Sequence, residues 1–199
     1  MEQYPSIENS SKAPLGEPCI AFYKYDGSNL RWEWNPKKGW FKFGTRTQLF
    51  DATTELFNEA IPLFMKFGDE IVRRVKSVER QPQRITAFTE FFGDSSFAGG
   101  HILGEPKQLK LFDVYLFKKG LMKPRQFVKT FGDMPQAAQV VYDGNLNKQF
   151  IEHVRTGFYP DLWEGVVAKG DDWMCKIKTM AYFQKLREVY PQRWNQHWE

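Results

Sequence analysis

Residues 19–30 read Cys-Ile-Ala-Phe-Tyr-Lys-Tyr-Asp-Gly-Ser-Asn-Leu, and the fold turns on how they are read. Two β-prone runs, residues 19–24 and 30–34, flank Asp26-Gly27-Ser28-Asn29, a strong turn signal. A lysine at a strand end, just before a tight turn, has a rigid backbone and can still reach into a cleft. Lys24 stands at that point; read alone, it is equally a surface lysine beside a hairpin. Val141-Tyr142-Asp143-Gly144-Asn145 acts as an internal control. It repeats the turn residues with valine in the lysine's place, so Tyr-Asp-Gly alone marks only a turn.

Outward from this stretch, residues 1–17 read as an irregular lead-in containing Pro5, Pro14 and Gly16. A third strand is expected over 40–46, with Lys42, Gly44 and Arg46 on one face. Residues 51–78 read as helix: Asp51 and Thr53 can cap it, Leu56, Phe57, Ala60, Phe64 and Phe67 recur at helical spacing, and Gly68 splits the run. Strands return at 85–92 and 109–117, on either side of a glycine-rich loop at Gly99-Gly100. Helices are expected over 134–141 and 146–155, and strands over 165–169 and 173–178. An amphipathic helix over 182–190 and a Trp194/Trp198 tail make up the C-terminal section, 182–199. There is no repeat and no low-complexity tract. The order of elements predicts an α+β protein with twisted mixed or antiparallel sheets and flanking helices, folded as a single domain over 1–199.

Composition narrows the class. A chain of 199 residues can bury a core without staples. Cys19 and Cys175 are far apart and lack metal-type spacing, so they read as small core residues in a reducing cytosol. No basic flank and apolar core mark a signal peptide, and no apolar run approaches membrane length, in keeping with a mean hydropathy of −0.56. The expectation is a soluble cytoplasmic protein without a membrane partner. A net charge of +4 is only mildly basic, whereas 17% aromatic residues is high. Basic surface interleaved with aromatics suits single-stranded or frayed nucleic acid, although most of the phenylalanines simply fill the core.

The chemistry lies in an ordered series. After Lys24-Tyr25-Asp26-Gly27 come Phe43-Gly44-Thr45-Arg46, Thr89-Glu90-Phe91-Phe92-Gly93 and Leu111-Phe112-Asp113-Val114. Trp163-Glu164-Gly165-Val166-Val167-Ala168-Lys169 follows, then Cys175-Lys176-Ile177-Lys178. Over residues 19 to about 180 this series resembles the covalent nucleotidyltransferase superfamily of DNA ligases, RNA ligases and mRNA capping enzymes. Each motif is weak alone; all of them in order are not. The resemblance implies an ATP-grasp-like adenylation domain in which Lys24 is the nucleophile. Glu90 matches the third motif, Phe112 and Asp113 the aromatic strand, Glu164 to Lys169 the fourth motif, and Lys176 with Lys178 the fifth.

Strand alternation independently puts Lys176 and Lys178 on one face, with Trp173, Cys175 and Ile177 on the other. A solvated strand face is the commoner fate of such a pair, but in this company it offers two cations to a polyphosphate. The lysine must attack the α-phosphorus of ATP as a neutral amine, against a free pKa of about 10.4. Neighbouring cations disfavour the ammonium form. Asp26, Glu90 and Glu164 are the carboxylates for a hydrated Mg²⁺ or Mn²⁺. Phe112 would stack on adenine or, equally, fill the core.

Two residues point to a branch. Asn29 stands where DNA ligases and capping enzymes usually carry arginine, so Lys-x-x-Gly-x-Asn resembles the RNA ligase 2 class, whose asparagine contacts the nucleotide. Arg46 resembles that class's arginine on the phosphate side. The resemblance therefore implies an RNA ligase that forms lysyl-AMP, passes AMP to a 5′-phosphate and seals it to a 3′-hydroxyl, with RNA favoured. Tyr23 departs from the glutamate common before that lysine. Only some twenty residues follow Lys178, so the chain looks like the minimal catalytic domain without an OB-fold, one that a separate strand-holding protein would complement. The alternatives are a minimal DNA ligase, a guanylyltransferase, and a non-catalytic nucleic-acid-binding module on a ligase scaffold.

Overall fold

The computed structural model describes residues 1–94, 96 and 103–192, so the expected loop at Gly99-Gly100 and the Trp194/Trp198 tail lie outside the described residues. In chain order the elements are β1 (Glu8–Asn9), β2 (Pro18–Lys24), β3 (Ser28–Asn35), β4 (Gly39–Thr45), β5 (Leu49–Phe50), α1 (Ala60–Met65), α2 (Gly68–Val78) and β6 (Ile85–Phe92). They continue with β7 (Gln108–Leu116), β8 (Gly120–Leu121), α3 (Pro124–Phe131), β9 (Val140–Asn145), α4 (Lys148–Arg155), β10 (Gly165–Lys169), β11 (Met174–Lys178) and α5 (Met180–Val189). The architecture is α+β with two sheets. Each sheet belongs to one of two compact units: Met1–Pro5, Gly27–Asp94 and Leu103–Ala138 make up the first, Ser6–Asp26 and the chain from Gln139 onward the second.

In the first unit the strand order is β5-β4-β3-β6-β7-β8, antiparallel throughout. Leu30, Trp32 and Trp34 alternate along β3 and are buried. Trp32 lies flat on Phe64 of α1, ring centroids 4.1 Å apart and planes 2° from parallel, and its indole N–H donates to Thr89 Oγ1 at 2.8 Å. The opposite face of β3 is also buried, although it carries charge. Arg31 donates to Thr45 O at 2.7 Å and Glu2 O at 3.0 Å, and Glu33 meets the Met1 amine at 3.2 Å. Residues 1–7 are irregular, as expected, although Tyr4 is buried, and residues 8–12 form β1 and a 3₁₀ turn.

In the second unit the order is β1-β11-β10-β2-β9, antiparallel except for the parallel pairing of β1 with β11. One face of this mixed sheet presents Ala21, Val166, Ala168, Cys175 and Ile177 to Leu146 and to Phe150 and Val154 of α4. Both cysteines are free thiols buried in this core, as expected from their spacing.

Several elements differ from the sequence reading. β2 and β3 do not form a hairpin: β2 pairs with β10 and β9, and β3 with β4 and β6. Distant strands supply better partners than the near one. The second Tyr-Asp-Gly is no turn either; it lies in edge strand β9, where Tyr142, Asp143 and Gly144 face Ala21, Ile20 and Cys19. An edge position tolerates a glycine in a strand. Residues 51–59 are turns because the Asp51 carboxylate accepts from the backbone and hydroxyl of Thr53 at 2.9 and 2.6 Å, a local closure that competes with helix. The helix starts only at Ala60. Residues 134–139 are not helical: Pro135 has no N–H to donate, and the backbones of Gln136 and Ala138 bond to Leu111 of β7. β4 stops at Thr45, leaving Arg46 in a turn.

Candidate nucleotidyltransfer site

Backbone register assembles the first group of functional residues, all in the second unit. Gly165, the first residue of β10, pairs with Lys24 at the end of β2 and with Lys178 at the end of β11. Residues opposite one another in an antiparallel sheet point to the same face, so Lys24 and Lys178 flank a position with no side chain. The glycine is obligatory there. Its φ is +145°, and a Cβ would stand 2.0 Å from Ile177 O.

Glu164, one residue before, turns its carboxylate into this group. Its Oε1 lies 2.7 Å from Lys24 Nζ and 3.6 Å from Lys178 Nζ. Glu164 is 4% exposed and Lys178 7%. Burial pushes the Lys178 ammonium below its ordinary pKa; Glu164 opposes that shift, and Lys24 and Lys176 add to it. The Lys178 ammonium also lies 5.1 Å from the centre of the Tyr182 ring.

Alternation then adds Lys176 and Lys169 to the same face, two and four residues along their strands, while Cys175 and Ile177 point into the core. Lys169 closes the fourth motif in the sequence reading but is given no role there. The alternation of Gly165, Val167 and Lys169 was the signal that could have found it.

Three other residues hold the group together, and no local pattern announced them. The Tyr23 hydroxyl donates to Asp161 O at 2.7 Å and accepts from Trp163 N–H at 3.1 Å, fixing the segment that leads into Glu164. Asp161 has φ +65°, unusual for a non-glycine residue. Thr179 N–H donates to Glu164 O at 3.0 Å, the Thr179 hydroxyl donates to Trp163 O at 2.6 Å, and its oxygen caps α5 by accepting from Tyr182 N–H. The Tyr182 hydroxyl donates to Asp26 Oδ1 at 3.0 Å.

The nucleotide-contact residues expected from the sequence lie in the first unit. Asn29 of β3 pairs with Glu90 of β6, and Glu90 with Lys110 of β7, so the three form one row. Asn29 Oδ1 is buried and has no hydrogen-bond partner among the described residues, an acceptor suited to a ligand's donor. Burial lowers the Lys110 pKa. A bulge in the β6–β7 pairing shifts the register between Phe88 and Thr89, opposite Asp113 and Leu111, and Phe112 falls at this shift. The Tyr4 hydroxyl donates to Asp113 Oδ2 at 2.9 Å, and the Tyr4 ring meets Phe112 edge-on at 5.0 Å. Arg46 is exposed on the turn from Thr45 to Gln48, apart from these contacts.

Asp26 and Glu164 share one unit, whereas Glu90 belongs to the other. Among the described residues no three histidines, cysteines or carboxylates form a group that could hold a metal. Two buried carboxylates are hard oxygen donors of the kind that suits Mg²⁺ keeping most of its waters; they do not suit a metal stripped of them. Among the described residues no helix is long and apolar enough to cross a membrane.

No protein-family model matches the sequence, and no curated protein sequence does. The fold is similar to solved structures of Naegleria gruberi RNA ligase. A mutant of that protein with AMP and Mn aligns at TM-score 0.68 and 16% identity, over 93% of this chain and 58% of that one. The ligase with PPi aligns at 0.68 and 18%, over 94% and 58%. A mutant with ATP and Mn aligns at 0.66 and 17%, over 91% and 57%. At these identities the likeness is one of fold, and this chain spans less than two thirds of the length of those proteins.

Proposed function

We propose that this chain is the nucleotidyltransferase part of an ATP-dependent RNA ligase. The observation that carries the reading is the Lys24–Glu164–Lys178 group, in which buried Glu164 and Lys178 meet a half-buried Lys24 where β2, β10 and β11 run side by side. An amine paired with a carboxylate that a second cation also approaches has the means to be held as an ammonium or released as a nucleophile. The fold likeness to an RNA ligase, whose solved forms include AMP, ATP, PPi and Mn, supports the same reading.

In the proposed reaction neutral Lys24 Nζ attacks the α-phosphorus of ATP. A P–N bond forms, the bond from that phosphorus to the bridging oxygen breaks, pyrophosphate leaves with the electron pair, and the amine loses its proton. Glu164 holds Lys24 as an ammonium at rest; with its charge engaged elsewhere, Lys178 and Lys176 favour the neutral amine. Asp26 and Glu164 would hold a hydrated Mg²⁺ or Mn²⁺, and the ion would offset negative charge on the phosphates. Asn29, Phe112 and Asp113 are assigned to the nucleoside, and Arg46, Lys176 and Lys178 to phosphate. AMP then passes to a 5′-phosphate, and a 3′-hydroxyl displaces it to seal the strand. Two buried free thiols suit a reducing compartment, so the reaction is assigned to the cytoplasm.

The test is an intact-mass measurement after incubation with ATP and Mg²⁺. One added AMP is expected on the wild type and on the control Lys118→Ala, and none on Lys24→Ala or Lys24→Arg, because a guanidinium stays protonated. An adduct mapped to another lysine would overturn the assignment.

A further inference from the structure

Away from these residues, the first unit contains a groove of about 570 Å³ lined by residues of α2 and α3. Its walls include Arg73 and Arg74 of α2, and Arg125 and Lys129 of α3, with the hydroxyl residues Ser77 and Thr130 between them. Among the described residues no acidic side chain lines it. Arg74 is the fixed member: it donates to Glu70 at 2.5 Å, to Thr130 O at 2.8 Å, and to both carboxylate oxygens of Asp133. These bonds tie α2 to the end of α3 and so set the width of the groove. Glu70 also takes Arg73, through bonds of 2.6 and 2.5 Å. Arg125 and Lys129 lie four residues apart, on one face of α3, and both are exposed. Thr130 Oγ1 is buried among these cations with no hydrogen-bond partner among the described residues.

We infer that this groove binds the phosphate backbone of a duplex nucleic acid; the inference rests on the ligase reading only for the identity of that duplex as the strand pair to be sealed. A mononucleotide site needs an apolar or aromatic slot for the base, and among the described residues Val78 is the only apolar one in the lining. A single-stranded site would present stacking rings, and among the described residues the lining has none. What it offers is several cations and hydroxyls along an open trough, the chemistry that reads phosphates without reading sequence.

The experiment measures binding of a labelled 24-base-pair RNA duplex to the full chain over a salt series. Arg125→Ala with Lys129→Ala is expected to flatten the dependence of log K on log salt by about 1.8, the loss of two phosphate contacts, and to weaken binding at low salt. The swap Arg125→Lys with Lys129→Arg should keep both. The double variant should still take one AMP from ATP, which also shows that it is folded. Loss of two exposed lysines elsewhere, Lys37→Ala with Lys38→Ala, should leave the slope unchanged.

A double variant with wild-type affinity and slope overturns the inference and leaves the groove to an acidic protein partner. An equal loss in the Lys37/Lys38 variant overturns it too, since binding would then be diffuse. Should the wild type form no AMP adduct while binding still depends on Arg125 and Lys129, the groove stands and the ligase reading falls.

Discussion

The Tyr182 hydroxyl donates a 3.0 Å hydrogen bond to Asp26 Oδ1, a carboxylate 156 residues earlier in the chain. Asp26 follows Lys24 by two residues and Tyr182 follows Lys178 by four, so one bond joins the segments after the two lysines. Both partners are buried. Burial, with Glu164 and Asp26 nearby, pushes the phenol far above its ordinary range, so it stays a donor at any working pH.

Tyr182→Phe removes that donor and leaves a buried carboxylate oxygen short of a partner, a cost of about 1–3 kcal/mol. For a chain of this size that corresponds to a fall in Tm of about 2–12 °C, measured by calorimetry. An unchanged Tm would mean that the bond is not kept in solution.

Glu164→Ala should slow AMP-adduct formation on the order of a hundredfold, the scale of losing one preorganised electrostatic group. Glu164→Gln keeps the shape and loses the charge, so it should rescue little. Single-turnover rates read by mass spectrometry decide it; a wild-type rate in Glu164→Ala would remove the residue from the chemistry.

Lys178 gives a pH signature. Its folded pKa lies below its unfolded one, so between the two values the unfolded chain binds more protons and stability rises with pH. Lys178→Met lacks this contribution. The stability of the variant relative to wild type should therefore decline as pH is raised from neutrality toward 10, in denaturant melts at each pH. A difference that stays constant would place Lys178 in an environment that does not disfavour its charge.

The last chemical step needs no lysyl-AMP bond. Lys24→Ala, inactive with ATP, should still join a pre-adenylated strand to an acceptor with an RNA 3′ end, by positioning and electrostatics alone. Gel assays should show slower sealing when the acceptor's terminal ribose is replaced by deoxyribose, since a site built around the 2′-hydroxyl loses its partner. Equal rates on both acceptors would favour a DNA or general ligase.

Where chemistry is local, the sequence was legible. Lys24, Glu164 and Lys178 stand in motifs, and strands 85–92 and 165–169 match β6 and β10 residue for residue because alternation and β-branched residues agree there. What failed was non-local. Asp26-Gly27 separates strands of two different sheets, and the Tyr142-Asp143-Gly144 run is held as a strand by residues 19–21. α3 went unforeseen although Pro124 at its first turn is a recognised helix start. The roles of Tyr23, Thr179 and Tyr182 were not legible, because a tyrosine that bonds to a residue 138 positions away has no mark of it in its own neighbourhood.

The stacking of Trp32 on Phe64 has an optical consequence. Trp32, Trp34 and Trp40 are buried in the first unit, while Trp163 and Trp173 lie half-buried in the second. An indole sealed from water emits at shorter wavelength than one that water reaches, so the two sets differ in colour before any label is added. Heating shifts each set to the red as its own surroundings open. Coincident shifts would mark a single cooperative transition, and separated ones two. The chain thus carries, in its native fluorescence, a gauge of whether its halves melt together or in turn.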